Sequence, residues 1–161
     1  MRRIVRIVAI AVAGAAASCL ASSLAAWLTD AAYALLGLTP PRPPWLEAIT
    51  DPAATPDVLA RRVARLSLVA VILSPAIEEC VFRGLLQGWL ERRAGRVAAV
   101  TLASIAFAAC HFSIYVFPAL VAVGVCLSVA RIAGGGLAAP IIAHMLYNAA
   151  AIAAALCDAR A

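Results

Sequence analysis

The sequence has little charge and no lysine. Only 13% of its 161 residues are charged, and all 13 basic residues are arginine. Aromatic residues are scarce at 6%, whereas hydrophobic residues make up 65% of the chain and the mean hydropathy is +0.99. A soluble domain has about 45–50% apolar residues, and a chain of this length cannot hide so much apolar surface in one core. The composition therefore excludes an ordinary soluble domain and predicts a protein whose solvent is the lipid bilayer.

The net charge of +5 does not indicate nucleic-acid binding, because the arginines stand in clusters beside apolar runs, where topology signals of membrane proteins are found. We predict a multi-pass protein of the cell membrane that has lipid as a partner, binds no nucleic acid and has a cytoplasmic N-terminus. The apolar stretch Ile7–Leu36 is longer than the roughly 7–15 residues of a secretory signal, which favours a retained first helix.

Apolar runs separated by charged, proline-rich or glycine-rich segments predict an all-α integral membrane bundle with about five transmembrane helices. Residues 1–36 are expected to form an N-terminal transmembrane helix. Residues 37–65 are expected to form a proline-rich loop and an amphipathic lead-in, and residues 66–156 a core of four helices. The predicted spans lie at about 7–28, 66–90, 97–112, 115–130 and 137–156.

Within the second span, the pair Ser74-Pro75 predicts a kink or a restart of the helix, with Ser74 as the N-cap. Glu78 and Glu79 follow in the middle of the same span, where a charged group costs on the order of 2.5–3.5 kcal/mol. Two adjacent carboxylates are hard to keep there unless partners or water compensate them. This span is therefore the first candidate for a functional site.

Other polar groups of the apolar stretches are few. The only two histidines are His111 and His144, and Asn148 follows His144 by four residues. Glu79 and Arg83 are also four residues apart, with the acid first, so they can pair on one helix face. Glu78 points about 100° away and stays available for other work. We expect these groups, which come from three helices, to meet in one buried pocket.

Each of these residues also has a structural interpretation. The arginine can extend its side chain to the membrane interface, and the histidines and the asparagine can join helices by hydrogen bonds. The two carboxylates are harder to explain in this way, because they would be held inside the membrane without a chemical role. The combination therefore favours a functional site over a purely structural set of contacts.

Three motifs follow one another on successive apolar stretches: E-E-x-x-x-R at Glu78–Arg83, F-x-x-x-H at Phe107–His111 and H-x-x-x-N at His144–Asn148. Together they resemble the CPBP family of intramembrane endopeptidases, which includes CAAX prenyl proteases and bacteriocin-processing relatives. The resemblance covers about Leu66–Leu156 and makes this region the catalytic core. It implies hydrolysis of a peptide bond in a membrane-associated or C-terminally processed protein or peptide.

The resemblance also implies roles for the site residues. Glu78 would be the general base, His111 its partner in holding the attacking water, and the other histidine and the asparagine the groups that bind the oxyanion. Amide hydrolysis needs a base within reach of a water and donors aimed at the oxyanion, so these roles are chemically consistent. The predicted site is therefore Glu78, His111, His144 and Asn148, supported by Glu79 and Arg83.

No cofactor is expected for this glutamic-type protease mechanism. The alternative is a zinc-dependent protease in which Glu78, His111 and His144 bind the metal, since two histidines and a glutamate match the ligand number of catalytic zinc sites. The absence of an H-E-x-x-H motif and the need for the same groups as base and oxyanion donors favour the mechanism without metal.

Two functions of other classes stay open. One is a non-catalytic immunity or scaffold protein that kept the fold, which the intact motifs argue against. The other is a small proton-coupled transporter, because intramembrane glutamate and histidine also form proton relays. The absence of an inverted repeat and the small number of spans argue against transport. Neither a particular substrate nor an oligomeric state follows from these residues.

Overall fold

The computed structural model describes residues 1–158, and these residues form helices and no strands. The all-α membrane bundle predicted from the sequence is therefore confirmed. Two stretches, which we call π1 and π2, are π-helical and join neighbouring α-helices without a break. The elements are α1 (Arg2–Leu35), α2 (Pro44–Thr50), α3 (Pro56–Ser67), π1 (Leu68–Leu73), α4 (Ser74–Glu79), π2 (Cys80–Leu86), α5 (Gln87–Ala109), α6 (Phe117–Gly134) and α7 (Ala138–Asp158).

Three helices of the described chain, α1, α6 and α7, are long and apolar enough to cross a membrane. Helix α1 alone has 34 residues and is about 51 Å long, which exceeds the hydrocarbon thickness of about 30 Å. The spans predicted at 66–90 and 97–112 lie in one helical stretch that π1, π2 and a break at Gly95 divide into shorter pieces. The count of five spans therefore stays a prediction.

Of the kink or restart predicted at Ser74-Pro75, the restart with Ser74 as N-cap was wrong. The chain stays helical through this point, and the residue at the N-cap position of α4 is Leu73, with no capping hydrogen bond from a side chain. Instead of a new helix, the backbone changes its hydrogen-bond register, since Ser74 N–H donates to the carbonyl of Val69, five residues back. A π-helical turn is a common way for a helix to absorb such a local misfit.

Two further details differ from the prediction, one an additional helix and the other a helix end. The segment 37–65 is not only a loop and a lead-in helix, because Pro44 starts the short helix α2 with its ring at a first-turn position, where no N–H is needed. The span predicted at 97–112 ends earlier, since α5 stops at Ala109. The turn that follows contains Phe112 with a left-handed φ of 50°.

Helix α1 packs against α6 and α7 through small residues. A Cβ added to Gly14 would lie 3.3 Å from the Cβ atoms of both Ala130 and Ala143, so the three backbones meet closely at this point. In lipid, where the hydrophobic effect does not drive helices together, such close backbone packing is a main source of association. The small buried residues on this face of α1 are Ala11, Gly14, Ala15, Ser18 and Ser22.

Helices α5 and α6 approach each other closely at Gly124. A Cβ at this position would lie 2.8 Å from Ser104 Cβ and 2.9 Å from Ser104 Cα, which is shorter than a van der Waals contact. Any larger residue at position 124 must therefore push the two helices apart. Because α6 also packs against α1 and α7, this crossing places the middle of α6 at the centre of the bundle.

We predict that Gly124→Ala destabilises the protein. The gain in helix propensity, about 1 kcal/mol, is outweighed by overpacking against the Ser104 backbone, which typically costs about 1–3 kcal/mol in a packed core and more where backbone must move. Thermal unfolding of purified protein in detergent measures the effect. Gly136→Ala is the matched control, because a Cβ at Gly136 meets nothing within 4 Å. Equal unfolding temperatures for the two variants would contradict the close crossing.

Candidate active site

The centre of the polar cluster is Glu79, whose side chain is completely buried. Its Oε1 atom accepts a hydrogen bond of 3.0 Å from Arg83 Nη1 and one of 2.9 Å from His144 Nδ1. The ion pair expected from the i, i+4 spacing of Glu79 and Arg83 is therefore present, and His144 from α7 joins it. These contacts connect α4 and π2 to α7.

Arg83 is also completely buried, and its charge is compensated on several sides. Besides the carboxylate of Glu79, Nη2 donates to the carbonyl oxygen of Gly124 at 3.1 Å. The guanidinium carbon lies 4.5 Å from the centre of the Phe107 ring, an arrangement typical of a cation–π contact. The close approach of α5 and α6 at Gly124 is what brings both of these partners within reach of Arg83.

Glu78 differs from its neighbour in both exposure and partners. Its side chain is 27% exposed, and Oε2 lies 3.9 Å from His144 Nε2. Because His144 Nδ1 donates to Glu79, the opposite ring nitrogen faces Glu78. A separation of 3.9 Å is too long for a direct hydrogen bond, but a bridging water can fill it. The two adjacent carboxylates therefore have different surroundings. Glu79 is paired with an arginine, whereas Glu78 is partly exposed to solvent.

His111 lies in the turn after α5 and is exposed. Its Nδ1 lies 2.9 Å from the carbonyl oxygen of Phe107. Because a carbonyl can only accept a hydrogen bond, Nδ1 carries a proton. In the neutral ring, Nε2 can then accept a hydrogen bond from another group. Its ring centre is 5.0 Å from that of Phe107, which is in turn 5.7 Å from that of His144. The ring of Phe107 therefore lies between the two histidines. Within residues 1–158, His111 forms no ion pair with either glutamate.

The turn that carries His111 is attached to α1. The Tyr115 hydroxyl donates a hydrogen bond to Asp30, and the rings of Tyr115 and Tyr33 meet edge to face at 5.1 Å. The hydrogen bond to Asp30, with a further contribution from burial, raises the pKa of Tyr115 to about 12, so the phenol stays a donor near neutral pH. Asp30 was missed in the sequence, although a single acid in an apolar helix is itself a signal of a specific contact.

Asn148, one turn beyond His144 on α7, does not contact either glutamate directly. Its Nδ2 donates to the backbone carbonyl of Ala70 in π1 at 2.7 Å. The structure therefore brings Glu78, Glu79, Arg83 and His144 into one contact network. It places His111 and Asn148 beside that network, where both line the same cavity.

This cavity has a volume of about 490 Å³ and is lined by residues of α1, α2, α3, π1, the turn after α5, α6 and α7. Its walls are mainly apolar, and the polar groups that reach it include the two predicted site residues. A cavity of this size with a few polar groups is typical of a ligand or substrate site. Trp45 from α2 was not predicted, because its neighbourhood was taken for a loop. The main lining side chains are Trp45, His111, Leu120, Tyr147, Asn148 and Ile152.

The zinc alternative requires Glu78, His111 and His144 to form one ligand set. Across the described part of the chain, no three His, Cys, Asp or Glu side chains are close enough together to hold a metal ion. These residues do not fit a zinc site in this arrangement.

Comparisons with known proteins agree with the motifs. The chain is 33% identical over 97 residues to the membrane-embedded CAAX protease MroQ of Staphylococcus aureus (strain USA300), an alignment that covers 56% of this chain and 39% of that protein. No solved structure matches the chain. Residues 61–150 match the family described as type II CAAX prenyl endopeptidase Rce1-like, and this region contains all six predicted site residues. Because the match covers more than half of the sequence, the chain belongs to this family of CPBP-type membrane proteases.

Proposed function

We propose that the protein is an intramembrane endopeptidase that hydrolyses a peptide bond in a membrane-associated protein or peptide, using a water activated by Glu78. The observation that carries this proposal is the unequal environment of the two adjacent glutamates. Glu79 is buried and bound by Arg83 and His144, whereas Glu78 is partly exposed and has no arginine partner among the described residues. A general base needs a carboxylate that is free to take a proton, and Glu78 meets this condition.

In the proposed reaction, Glu78 takes a proton from a water that attacks the carbonyl carbon of the scissile bond. The free Nε2 of His111 accepts the second hydrogen bond from this water and orients it. The oxyanion that forms accepts hydrogen bonds from His144, when Nε2 is protonated, and from the second amide N–H of Asn148. Glu78 then returns its proton to the leaving amine, so that acid and base catalysis use one group.

His144 is suited to this role because Glu79 fixes its orientation. The Nδ1–H···Oε1 hydrogen bond of 2.9 Å holds the ring so that Nε2 points towards Glu78. In this orientation a proton on Nε2 can be donated to an oxyanion that forms beside Glu78. Arg83 in turn holds Glu79 in place through the hydrogen bond from Nη1, which is the supporting role proposed for the pair.

The cavity beside the site suits an apolar segment of the substrate. Its lining is mainly apolar, and two of the proposed catalytic residues, His111 and Asn148, are at its wall. The relative in Staphylococcus aureus is named a CAAX protease. We propose that the substrate binds with an apolar segment in this cavity.

We predict that Glu78→Gln and Glu79→Gln differ in their effects on stability. Glu78→Gln abolishes cleavage but leaves the unfolding temperature near that of the wild type, because the side chain is partly exposed and unpaired. Glu79→Gln leaves the buried Arg83 without its counter-charge, a change that typically costs about 3–5 kcal/mol. Cleavage assays with co-expressed candidate substrates and thermal unfolding in detergent measure both quantities.

Full cleavage by folded Glu78→Gln protein would refute the proposed base. It would favour a protease with another base, or a scaffold whose effect on a partner does not need hydrolysis. His111→Ala is the companion variant and should reduce cleavage without a large change in unfolding temperature, since His111 is exposed.

We also predict that filling the cavity impairs substrate binding. Ala151→Trp places a large side chain into the cavity lined by Ala151, so KM should rise by about tenfold or more while the fold is kept. Ala150→Trp is the matched control, because Ala150 is exposed on the same helix and does not line the cavity. Equal KM values for the two variants would show that the substrate does not bind there.

Cleavage by the purified protein should be insensitive to metal chelators. Among the described residues, the zinc ligands of the alternative, Glu78, His111 and His144, do not form one cluster. We therefore propose that the rate is the same before and after dialysis against a chelator, and that elemental analysis finds no stoichiometric zinc. Loss of activity on chelation, with recovery on addition of zinc, would contradict this proposal and establish the zinc alternative.

A further inference from the structure

The backbone of π1 lacks one hydrogen-bond donor that its register requires. In a π-helical register, each N–H donates to the carbonyl five residues earlier, and Ser74 N–H donates to Val69 in this way. The next carbonyl, that of Ala70, would take the N–H of residue 75. Residue 75 is proline and has no N–H. The carbonyl of Ala70 therefore lacks the donor that this register would supply.

The missing donor comes from another helix. Asn148 Nδ2, on α7, donates to the carbonyl oxygen of Ala70 at 2.7 Å. An unpaired carbonyl in a membrane protein is costly, because lipid supplies no donor to replace the lost hydrogen bond. Pro75 itself is completely buried. The side chain of Asn148 thus completes the hydrogen bonding of the backbone at the point where Pro75 interrupts it.

This contact lies close to the proposed base. Pro75 is in α4, the helix that contains Glu78 and Glu79, and Asn148 follows His144 by one turn on α7. The helical stretch that includes π1 and α4 is therefore attached to α7 at two points, by Asn148 to the Ala70 carbonyl and by His144 to Glu79. Two attachment points restrain the rotation of one helix against the other more than a single hydrogen bond would.

We propose that Asn148 is a positioning residue that holds π1 and α4 against α7 through the carbonyl that Pro75 leaves unpaired. Glu78 Oε2 and His144 Nε2 are 3.9 Å apart, and the contact maintains this distance. In this way Asn148 fixes the position of the proposed base relative to the oxyanion donor. This inference rests on the proposed function for its effect on catalysis. The hydrogen bond itself, and its dependence on Pro75, are independent of the reaction.

The test is a double-mutant cycle with wild type, Asn148→Ala, Pro75→Ala and the double variant. Pro75→Ala gives residue 75 an N–H that can donate to the Ala70 carbonyl, so the amide of Asn148 is no longer needed there. The oxyanion hydrogen bond of Asn148 is lost in both backgrounds, so we expect Asn148→Ala to lower kcat about tenfold more when Pro75 is present than when it is replaced, with little change in KM. The decrease in unfolding temperature caused by Asn148→Ala should likewise be smaller when Pro75 is replaced.

Pro118→Ala is the matched control. Pro118 lies in the first turn of α6, where its missing N–H leaves no carbonyl unpaired, so this change should not rescue Asn148→Ala. If Asn148→Ala causes the same losses in kcat and unfolding temperature whether or not the proline at position 75 has been replaced, the proposal is overturned and only an oxyanion role is left.

The two readouts separate this inference from the proposed function. If the protein cleaves no substrate but the unfolding temperatures show coupling between positions 75 and 148, the positioning contact stands and the proposed function fails. If cleavage depends on Glu78 but the two positions show no coupling in either measurement, the proposed function stands and the positioning role is refuted.

Discussion

A carboxylate that is completely buried in an apolar bundle must have its charge compensated, and the compensation of Glu79 organises the rest of the site. Its partners, Arg83 and His144, come from π2 and α7. Arg83 requires further partners because it is buried as well, and it finds them in the Gly124 carbonyl and the Phe107 ring. Several helices are thus held in one arrangement by contacts that begin at a single carboxylate. The removal of one partner of such a pair is strongly destabilising, because it leaves a buried charge without compensation.

The packing of the small residues follows from the same constraint. Arg83 reaches the carbonyl of Gly124 because α5 and α6 approach closely there, and α1 holds α6 and α7 together through the face around Gly14. Helix α1 also fixes the turn of His111 through Asp30 and Tyr115. The family match begins only at residue 61, so these contacts connect an N-terminal helix outside the matched region to the proposed catalytic site.

Much of the architecture could be predicted from the sequence, because apolar composition and the i, i+4 spacing of Glu79 and Arg83 act locally. The membrane bundle, the family and this ion pair are confirmed, whereas the catalytic roles stay predictions. The response to Pro75 could not be predicted, since a missing N–H can be absorbed either by a new helix start or by a change to π register. The end of α5 before His111 was missed because no glycine or proline marks it. Contacts distant in sequence were also beyond prediction: Asp30 and Tyr115 are 85 residues apart, and nothing in either segment alone indicates that they meet.

The central claim is that Glu79 acts as the counter-charge of Arg83 and leaves Glu78 free for chemistry. The most direct test is the cleavage rate of Glu79→Gln/Arg83→Gln, in which both buried charges are removed together. The account predicts that this double variant is more stable and cleaves faster than Glu79→Gln alone, and that adding Glu78→Gln to it abolishes cleavage. A double variant as impaired as the sum of its single changes, or residual cleavage without Glu78, would contradict it.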